Sequence, residues 1–251
     1  MPNRQQLGPF YYFYPLILLL MGVLYLVPVT LGGNDYLKVI PANVLSLTRS
    51  LRYFIVEDIR SARRYLRMID REFPIDECRF MELNEHTGIS EVENCLEPLL
   101  QGNNTGLMSE AGLPGIADPG AAVVAMAHSR NIRVVPLTGP SSILLALISS
   151  GLNGQNFTFN GYLPVKPAER YSKLRELERK AKEGYAQIFM ETPYRNRQML
   201  ETILEVCHPD TKLCIASEIT LPGESIRTMK ISYWESKIPD LNGKRVIFII
   251  Q

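Results

Sequence analysis

Residues 106–154 read GLMSEAGLPGIADPGAAVVAMAHSRNIRVVPLTGPSSILLALISSGLNG and contain two loops of small residues. The first loop covers residues 109–120 and the second covers residues 137–142, and each stands between a short apolar run and a helical pattern. In an open α/β sheet, ligands bind in the crevice beyond the carboxyl ends of the strands. We therefore expect the two loops to follow neighbouring strands and to build one small-molecule site.

The first loop combines flexible and stiff positions. Gly112, Gly115 and Gly120 allow a ligand to approach the backbone, whereas Pro114 and Pro119 reduce the entropy that the loop loses on binding. The glycine spacing fits neither a phosphate-binding Walker loop nor a dinucleotide fingerprint. The alternative is that the loop only connects two elements and binds no ligand. One such loop alone would favour this interpretation, whereas two of them favour a ligand site.

The alternation of strands and helices predicts an α/β protein of two domains. Apolar strands at 23–29, 53–56, 105–109 and 133–137 alternate with helical patterns, which is typical of a parallel sheet. The alternation breaks at the Gly- and Asn-rich residues 151–154, and strands and helices then follow in a mixed pattern. We expect an N-terminal parallel-sheet domain over 22–152 and a smaller mixed-sheet domain over 153–251.

Charge and cysteine content restrict the class of protein. The 251 residues carry a formal net charge of +1, so overall charge indicates no polyanionic partner. The four cysteines form no C-x-x-C pair, which favours buried thiols in a reducing, cytoplasmic compartment. Cys207, His208 and Cys214 do not have the spacing of a common metal site, so we expect no metal.

The N-terminus allows two interpretations. Residues 10–31 are almost wholly apolar, and by length they are a candidate membrane span. If residues 23–29 form a strand of the sheet, however, only 10–20 remain, and these are too short to cross a bilayer. Since Met21 directly precedes that strand, we favour an apolar, non-native leader over 1–21 and expect no stable membrane association.

A stripe of arginines lies on one predicted helix. Over residues 59–71 the apolar side chains fall on one face, and Arg60, Arg64, Arg67 and Arg71 follow the same spacing on another. The stripe is either a solvated face or a surface that follows phosphates.

Several motifs in sequence resemble the tetrapyrrole methylase superfamily. They are SEAGLPGIADPG at 109–120, RVVPLTGPSSILLALISSGL at 133–152, GYLP at 161–164 and METPYR at 190–195. LYLVPVTLGG at 24–33 and VEDIRSARRYL at 56–66 are most similar to the ribosomal small-subunit RNA 2′-O-methyltransferase branch. The resemblance implies a two-domain fold, S-adenosylmethionine in a cleft between the domains, ribosomal RNA or the small ribosomal subunit as partner, and a homodimer.

The resemblance also implies which residues contact the cofactor, and it exposes departures from the family. Glu110 and Leu113 stand where the RNA branch has Asp and Thr, and Ile59 stands where it has Thr, so the substrate-facing motifs are altered. The implied cofactor-binding residues are Pro28, Gly112, Leu113, Pro114, Ile116, Ser141, Ser142, Ile143, Met190 and Ala216.

Methyl transfer to a sugar hydroxyl requires alignment and removal of a proton. Candidate bases are Glu110, Glu191, Asp118 and Glu218, although Asp118 is equally suited to fixing its own turn. Arg60 and Arg195 are candidates for holding a substrate phosphate or for pairing with a carboxylate. The leading hypothesis is cytidine 2′-O-methylation of ribosomal RNA. The alternatives are methylation of a tetrapyrrole or other small molecule, and a non-catalytic S-adenosylmethionine-binding protein.

Overall fold

The structure is a computed structural model that describes residues 21–83 and 87–251. The predicted leader, apart from Met21, lies outside the described residues. The described chain forms two compact units that divide between Pro140 and Ser141. No helix of the described ranges is long and apolar enough to cross a membrane.

The first unit contains a five-stranded sheet whose neighbouring strands are all parallel, as the sequence pattern predicts. Its strand order is β3-β2-β4-β1-β5. The strands are β1 (Leu24–Leu26), β2 (Tyr53–Val56), β3 (Arg79–Glu82), β4 (Thr105–Met108) and β5 (Val134–Pro136), and the helices are α1 (Ala42–Ser50), α2 (Ile59–Ile69), α3 (Ile89–Cys95), α4 (Glu97–Leu100) and α5 (Gly120–Ser129).

Alternation along the strands gives the first sheet a packed core on each face. Phe54 and its neighbour Ile55 in β2 are both fully buried, but they belong to different apolar clusters. This follows from the twofold repeat of a strand, which directs successive side chains to opposite faces. Helix α2 contributes Leu66 and Ile69 to the cluster that contains Phe54. The carboxylate of Asp58 caps α2 by accepting the Ser61 N–H at 2.7 Å.

The second unit contains a mixed five-stranded sheet of order β6-β7-β10-β8-β9. The β6–β7 pair is parallel, and the other three pairs are antiparallel. The strands are β6 (Phe157–Tyr162), β7 (Ala186–Glu191), β8 (Lys212–Ser217), β9 (Ser225–Lys230) and β10 (Val246–Ile250), and the helices are α6 (Ser142–Ser150), α7 (Pro167–Lys182), α8 (Asn196–Val206) and α9 (Ile231–Trp234).

Helix α6 groups with the second unit, whereas the sequence pattern places it at the end of the first domain. It packs against β8, β9 and β10. Its last carbonyl, Ser150 O, accepts a hydrogen bond from Thr228 Oγ1 in β9 at 2.6 Å. The helix is apolar over most of its surface, so its own sequence does not indicate which sheet it covers. The division between the units therefore precedes α6.

Candidate functional site

Three loops converge at the carboxyl edge of the first sheet. The two small-residue loops follow β4 and β5. The prediction that these strands are neighbours was wrong, because β1 lies between them. The loop after β1 contacts both the loop after β4 and the loop after β5. Val29 N–H donates to Gly112 O at 2.9 Å, and a Cβ on Gly139 would lie 2.1 Å from Pro28 Cβ. The close approach of the β1 and β5 loops therefore requires glycine at position 139.

The loop after β4 is held in an unusual backbone conformation. Gly112 and Gly115 have φ of +76° and +88°, which non-glycine residues rarely adopt. The Asp118 carboxylate accepts the N–H groups of Gly115 at 2.9 Å and of Gly120 at 2.7 Å. This geometry matches the alternative in which Asp118 fixes its own turn, and it leaves Asp118 poorly suited to act as a base.

The cofactor candidates of the first unit lie on these converging loops. Pro28 is buried, and its carbonyl accepts a hydrogen bond from Tyr65 Oη at 3.1 Å. Pro114 is buried and Leu113 is half-buried, whereas Ile116 is 43% exposed. A Cβ on Gly115 would meet no atom within 4 Å, so there is open space beside its backbone.

The cofactor candidates of the second unit lie on α6 and on the sheet. Ser141 caps α6 by accepting the Leu144 N–H, and Ser142 and the half-buried Ile143 follow in its first turn. Ile247 in β10 lies directly opposite Met190 in β7 and Ala216 in β8. Met190 and Ala216 therefore share one face of the second sheet.

Two glutamates meet where β2 and β4 end. Glu110 N–H donates to Glu57 Oε2 at 3.3 Å, and the Glu110 carboxylate accepts a hydrogen bond from Ser61 Oγ at 3.4 Å. Burial raises the pKa of Glu57 above its usual value. The hydrogen bond from the Glu110 N–H partly offsets this by stabilising the carboxylate, and the charges of Glu110 and Asp118 raise the pKa further. Glu57 is thus a stronger base than an exposed glutamate.

Glu57 was not among the base candidates predicted from the sequence. The signal that would have found it is its position directly after a buried strand. β2 and β4 are neighbours, but the chain leaves β2 towards β3 on one side and leaves β4 towards β5 on the other. Such a reversal of direction opens a crevice at the carboxyl ends of the two strands, which is where ligands bind in α/β sheets. Glu57 and Glu110 flank that point.

The arginines of α2 are exposed. Arg60, Arg64, Arg67 and Arg71 form no ion pair with any residue of the described ranges. Arg60 lies in the first turn of α2, two residues after Asp58, and so stands beside the carboxyl edge of the sheet. Both readings of the stripe, solvated face and phosphate contact, are compatible with this exposure.

The other polar candidates are engaged in local contacts. Glu191 is buried, and its Oε1 accepts hydrogen bonds from Arg195 Nη2 at 2.6 Å and from Thr192 N–H at 2.6 Å. Glu218 Oε1 accepts the Arg245 N–H at 2.7 Å. Both carboxylates therefore fix neighbouring groups, and Arg195 pairs with a carboxylate, as one reading of the sequence suggests.

The thiols are free in the described structure. Burial raises the pKa of the Cys207 thiol to about 12, so it stays protonated at neutral pH. Burial likewise raises the pKa of Cys214.

Comparison with known proteins places the chain in a family. Residues 24–233 match the family model described as Tetrapyrrole (Corrin/Porphyrin) Methylases. The chain belongs to this family. It is therefore a methyltransferase, and the predicted resemblance to that superfamily is confirmed.

Two relatives of the chain are also named as methyltransferases. The chain is 33% identical over 210 residues to a protein of Vibrio cholerae named "Ribosomal RNA small subunit methyltransferase I", covering 84% of this chain and 69% of the relative. It is 33% identical over 200 residues to a Bacillus subtilis protein of the same name, covering 80% of this chain and 64% of the relative.

Solved structures confirm the two-domain α/β fold. The methyltransferase CobJ matches with a TM-score of 0.60 and 17% identity, covering 91% of this chain and 93% of its own. A cobalt precorrin-4 methyltransferase matches with a TM-score of 0.55 and 13% identity, covering 90% and 93%. At these identities the likeness concerns the fold alone.

Proposed function

We propose that the chain transfers a methyl group from S-adenosylmethionine to a ribose 2′-hydroxyl of small-subunit ribosomal RNA, at a cytidine. The relatives named as small-subunit RNA methyltransferases carry this proposal, since they match the chain at up to 33% identity over most of its length. The proposed partner is ribosomal RNA, and a protein acting on it would work in the cytoplasm. A homodimer stays a prediction from the family resemblance.

The converging loops fit an adenosyl cofactor. Gly115 exposes its backbone to the open space beside the β4 loop, and the hydrogen bonds of Asp118 fix that loop before binding. Preorganised loops lose less entropy when they bind. S-adenosylmethionine would supply a methyl group already activated by the positive charge of its sulfonium. The residues proposed to hold it are Pro28, Gly112, Leu113, Pro114 and Ile116 in the first unit, and Ser141, Ser142, Ile143, Met190 and Ala216 in the second.

Glu57 is the proposed proton acceptor. If a ribose hydroxyl accepted the methyl group that S-adenosylmethionine would supply, the hydroxyl would lose its proton during or after the attack, and a nearby base would accept that proton. A carboxylate of raised pKa at the carboxyl edge of β2 accepts that proton more readily than an exposed glutamate does. Glu110 is a positioning residue in this scheme, because its backbone N–H orients the Glu57 carboxylate. The earlier candidate Glu191 is proposed to position Arg195 instead.

The arginines of α2 support an RNA substrate over a small molecule. An exposed stripe without ion pairs in the described chain is available to phosphates, and Arg60 is its member nearest to Glu57 in sequence. Each phosphate that an arginine neutralises adds to the salt dependence of binding. An extended stripe matches the row of phosphates on RNA better than the carboxylates of one compact tetrapyrrole, so a salt dependence of substrate binding that falls with each arginine removed along the stripe would favour RNA.

Two measurements test the proposal. Calorimetry with S-adenosylmethionine should show saturable binding. If no heat of binding were measured at millimolar S-adenosylmethionine, all three hypotheses would fail, because each assumes that the chain binds this cofactor. Transfer of labelled methyl groups should then be compared between small ribosomal subunits that lack native methylation and a uroporphyrinogen-type tetrapyrrole. Label in the RNA fraction supports the proposal. Label only in the tetrapyrrole favours the small-molecule alternative, and cofactor binding without any transfer favours a non-catalytic role.

A further inference from the structure

Three contacts fix the loop after β1, which carries the proposed cofactor residue Pro28. The Val29 N–H donates to Gly112 O at 2.9 Å, and Gly139 leaves room for the Pro28 ring. The third contact comes from a helix, because Tyr65 Oη in α2 donates to Pro28 O at 3.1 Å. The first two contacts join loops at the same edge of the sheet, whereas the Tyr65 contact connects the loop to α2.

The Pro28 carbonyl depends on the Tyr65 side chain. Proline has no backbone N–H, so the carbonyl is the one backbone group of Pro28 that can form a hydrogen bond. Pro28 is buried, and no backbone N–H in residues 21–83 or 87–251 donates to its carbonyl. The Tyr65 hydroxyl therefore satisfies a buried acceptor, and leaving a buried acceptor without a partner is costly.

The Tyr65 hydroxyl is a fixed and permanent donor. The side chain is only 6% exposed and belongs to the apolar cluster that also contains Val27 and Val29, the two neighbours of Pro28. Burial raises the pKa of Tyr65 well above its usual value, and the charge of Arg49 offsets this only in part. The hydroxyl therefore stays protonated at neutral pH, and a packed ring holds it in place.

Helix α2 reaches a second loop of the site from the same face. Ser61 lies one turn before Tyr65, and residues four apart in a helix share a face. Ser61 Oγ donates to Glu110 Oε1 at 3.4 Å, in the loop after β4. One face of α2 therefore contacts the loops after β1 and β4, which both carry proposed cofactor residues.

We propose that Tyr65 is a positioning residue for S-adenosylmethionine, because its hydroxyl holds the Pro28 carbonyl, and with it the loop after β1, in the conformation that binds the cofactor. Without this donor the carbonyl turns to another partner such as water, and only a fraction of the molecules keeps the loop ready for binding. The apparent dissociation constant rises in inverse proportion to that fraction. The inference rests on the proposed function, which assigns Pro28 to the cofactor.

The variant Tyr65→Phe removes the hydroxyl and keeps the ring in its cluster. Calorimetry on the full chain should show S-adenosylmethionine binding about three- to tenfold weaker than in the wild type, which corresponds to a binding-competent fraction of about a third to a tenth. Unchanged affinity would overturn the inference.

Steady-state kinetics separate positioning of the cofactor from an effect on the chemical step. With small ribosomal subunits as acceptor, the KM of Tyr65→Phe for S-adenosylmethionine should rise by the same factor as the dissociation constant. Its kcat at saturating cofactor should stay within about twofold of the wild-type value, because saturation restores the loop. A lower kcat with an unchanged KM would contradict the inference.

Thr48→Val is the matched control, since it removes another buried hydroxyl of the first unit that donates to a backbone carbonyl. Thr48 Oγ1 donates to Val44 O at 2.8 Å within α1, and neither residue is among those proposed to hold the cofactor. Both variants should melt at a lower temperature than the wild type, but Thr48→Val should bind S-adenosylmethionine as the wild type does. Equal losses of affinity would mean that reduced stability is the cause, and the inference would be wrong.

Hydrogen exchange gives a second measurement that needs no catalysis. The Val29 N–H should exchange faster in Tyr65→Phe than in the wild type, because the loop that holds it to Gly112 O is less fixed. Adding S-adenosylmethionine should restore its protection. Equal exchange at Val29 in the two proteins would overturn the proposed role of Tyr65 in holding the loop.

These measurements distinguish failure of the inference from failure of the proposed function. If the wild type binds S-adenosylmethionine but methylates no RNA, the proposed function fails, while the affinity of Tyr65→Phe still decides the role of Tyr65. If the wild type methylates RNA and Tyr65→Phe binds the cofactor equally well, the inference fails and the proposed function stands. A wild type that does not bind S-adenosylmethionine would overturn both.

Discussion

The backbone N–H of Glu110 donates to the Glu57 carboxylate at 3.3 Å and so ties the end of β4 to the end of β2. The contact lies where the sheet reverses its winding direction, which is where a ligand crevice is expected. It also places a second carboxylate beside Glu57, whose pKa is raised by burial and by the Glu110 charge. The pair combines a fixed orientation with a strengthened base.

Glu57→Gln should lower kcat by about 10²- to 10⁴-fold, the usual contribution of a positioned base. It should leave the affinity for S-adenosylmethionine close to that of the wild type. Single-turnover kinetics and calorimetry measure the two quantities. The wild-type rate should fall as the pH drops through the pKa of Glu57, which lies above the ordinary 4.5.

The matched control is Glu82→Gln, which removes an exposed carboxylate at the end of the neighbouring strand β3. Its rate and pH profile should equal those of the wild type. Equal losses in the two variants would mean that Glu57 acts only through general charge, and the assignment of the base would then be wrong.

Gly139→Ala should destabilise the first unit and weaken cofactor binding, because the new Cβ would lie 2.1 Å from Pro28 Cβ. Overpacking of this kind typically reduces the free energy of unfolding by about 1–3 kcal/mol. Thermal unfolding and calorimetry with S-adenosylmethionine measure both effects. The control Gly154→Ala adds a Cβ that meets nothing within 4 Å, so its melting temperature should not fall. A Gly139→Ala protein as stable as this control would show that the loops do not meet as described.

Asp118→Asn should loosen the loop after β4, because the amide cannot accept the N–H groups of Gly115 and Gly120 as strongly as the carboxylate does. We expect a loss of about 1–3 kcal/mol in unfolding free energy and weaker binding of S-adenosylmethionine. Asp76→Asn changes an exposed aspartate elsewhere in the first unit and serves as the control. If Asp118→Asn lost activity while stability and cofactor affinity stayed unchanged, Asp118 would be a catalytic group instead.

Glu178 should make the second unit sensitive to acid. Burial alone would raise its pKa, but hydrogen bonds from Thr211 and from the His208 N–H, together with the Lys182 ammonium group, outweigh burial and lower the pKa below 4.5. A carboxylate whose folded pKa is depressed stabilises the protein above its unfolded pKa, and this stabilisation is lost as the pH falls through the folded pKa. Glu178→Gln should therefore lower the melting temperature at pH 7 and flatten its dependence on pH below about 4.5.

The exposed Glu183, at the end of the same helix, provides the comparison. Glu183→Gln should keep the wild-type melting temperature and acid dependence. Identical acid profiles for wild type and Glu178→Gln would exclude the proposed contribution of Glu178.

Local patterns predicted much of the fold. The apolar spacing predicted helix α2, and the alternation of strands and helices predicted the parallel sheet. Both signals depend on the residue pattern within single elements. The S-x-x-E pattern at Ser90 predicts a capping box with Ser90 as the cap. In the structure α3 is capped two residues earlier by Gly88, whose N–H donates to the Glu91 carboxylate. The pattern alone does not decide between Glu91 and Glu93, which are two residues apart.

The order of the strands and the packing between distant elements could not be predicted from the sequence in the same way. The position of β1 between β4 and β5 depends on strand order, and the packing of α6 on the second sheet depends on which apolar surface it meets. The proposed base Glu57 was missed because its raised pKa comes from burial and from the neighbouring charges that the fold brings together. The two small-residue loops, in contrast, could be located from glycine and proline positions that the sequence shows directly.

The position of the methyl group on the RNA shows whether the chain methylates a ribose 2′-hydroxyl. Small ribosomal subunits lacking native methylation are incubated with the enzyme and methyl-labelled S-adenosylmethionine, and the RNA is digested to nucleosides and separated. The account predicts that the label appears in 2′-O-methylcytidine and that Glu57→Gln strongly reduces it. Label on a nucleobase, or no label in RNA while a tetrapyrrole accepts the methyl group, would contradict the account.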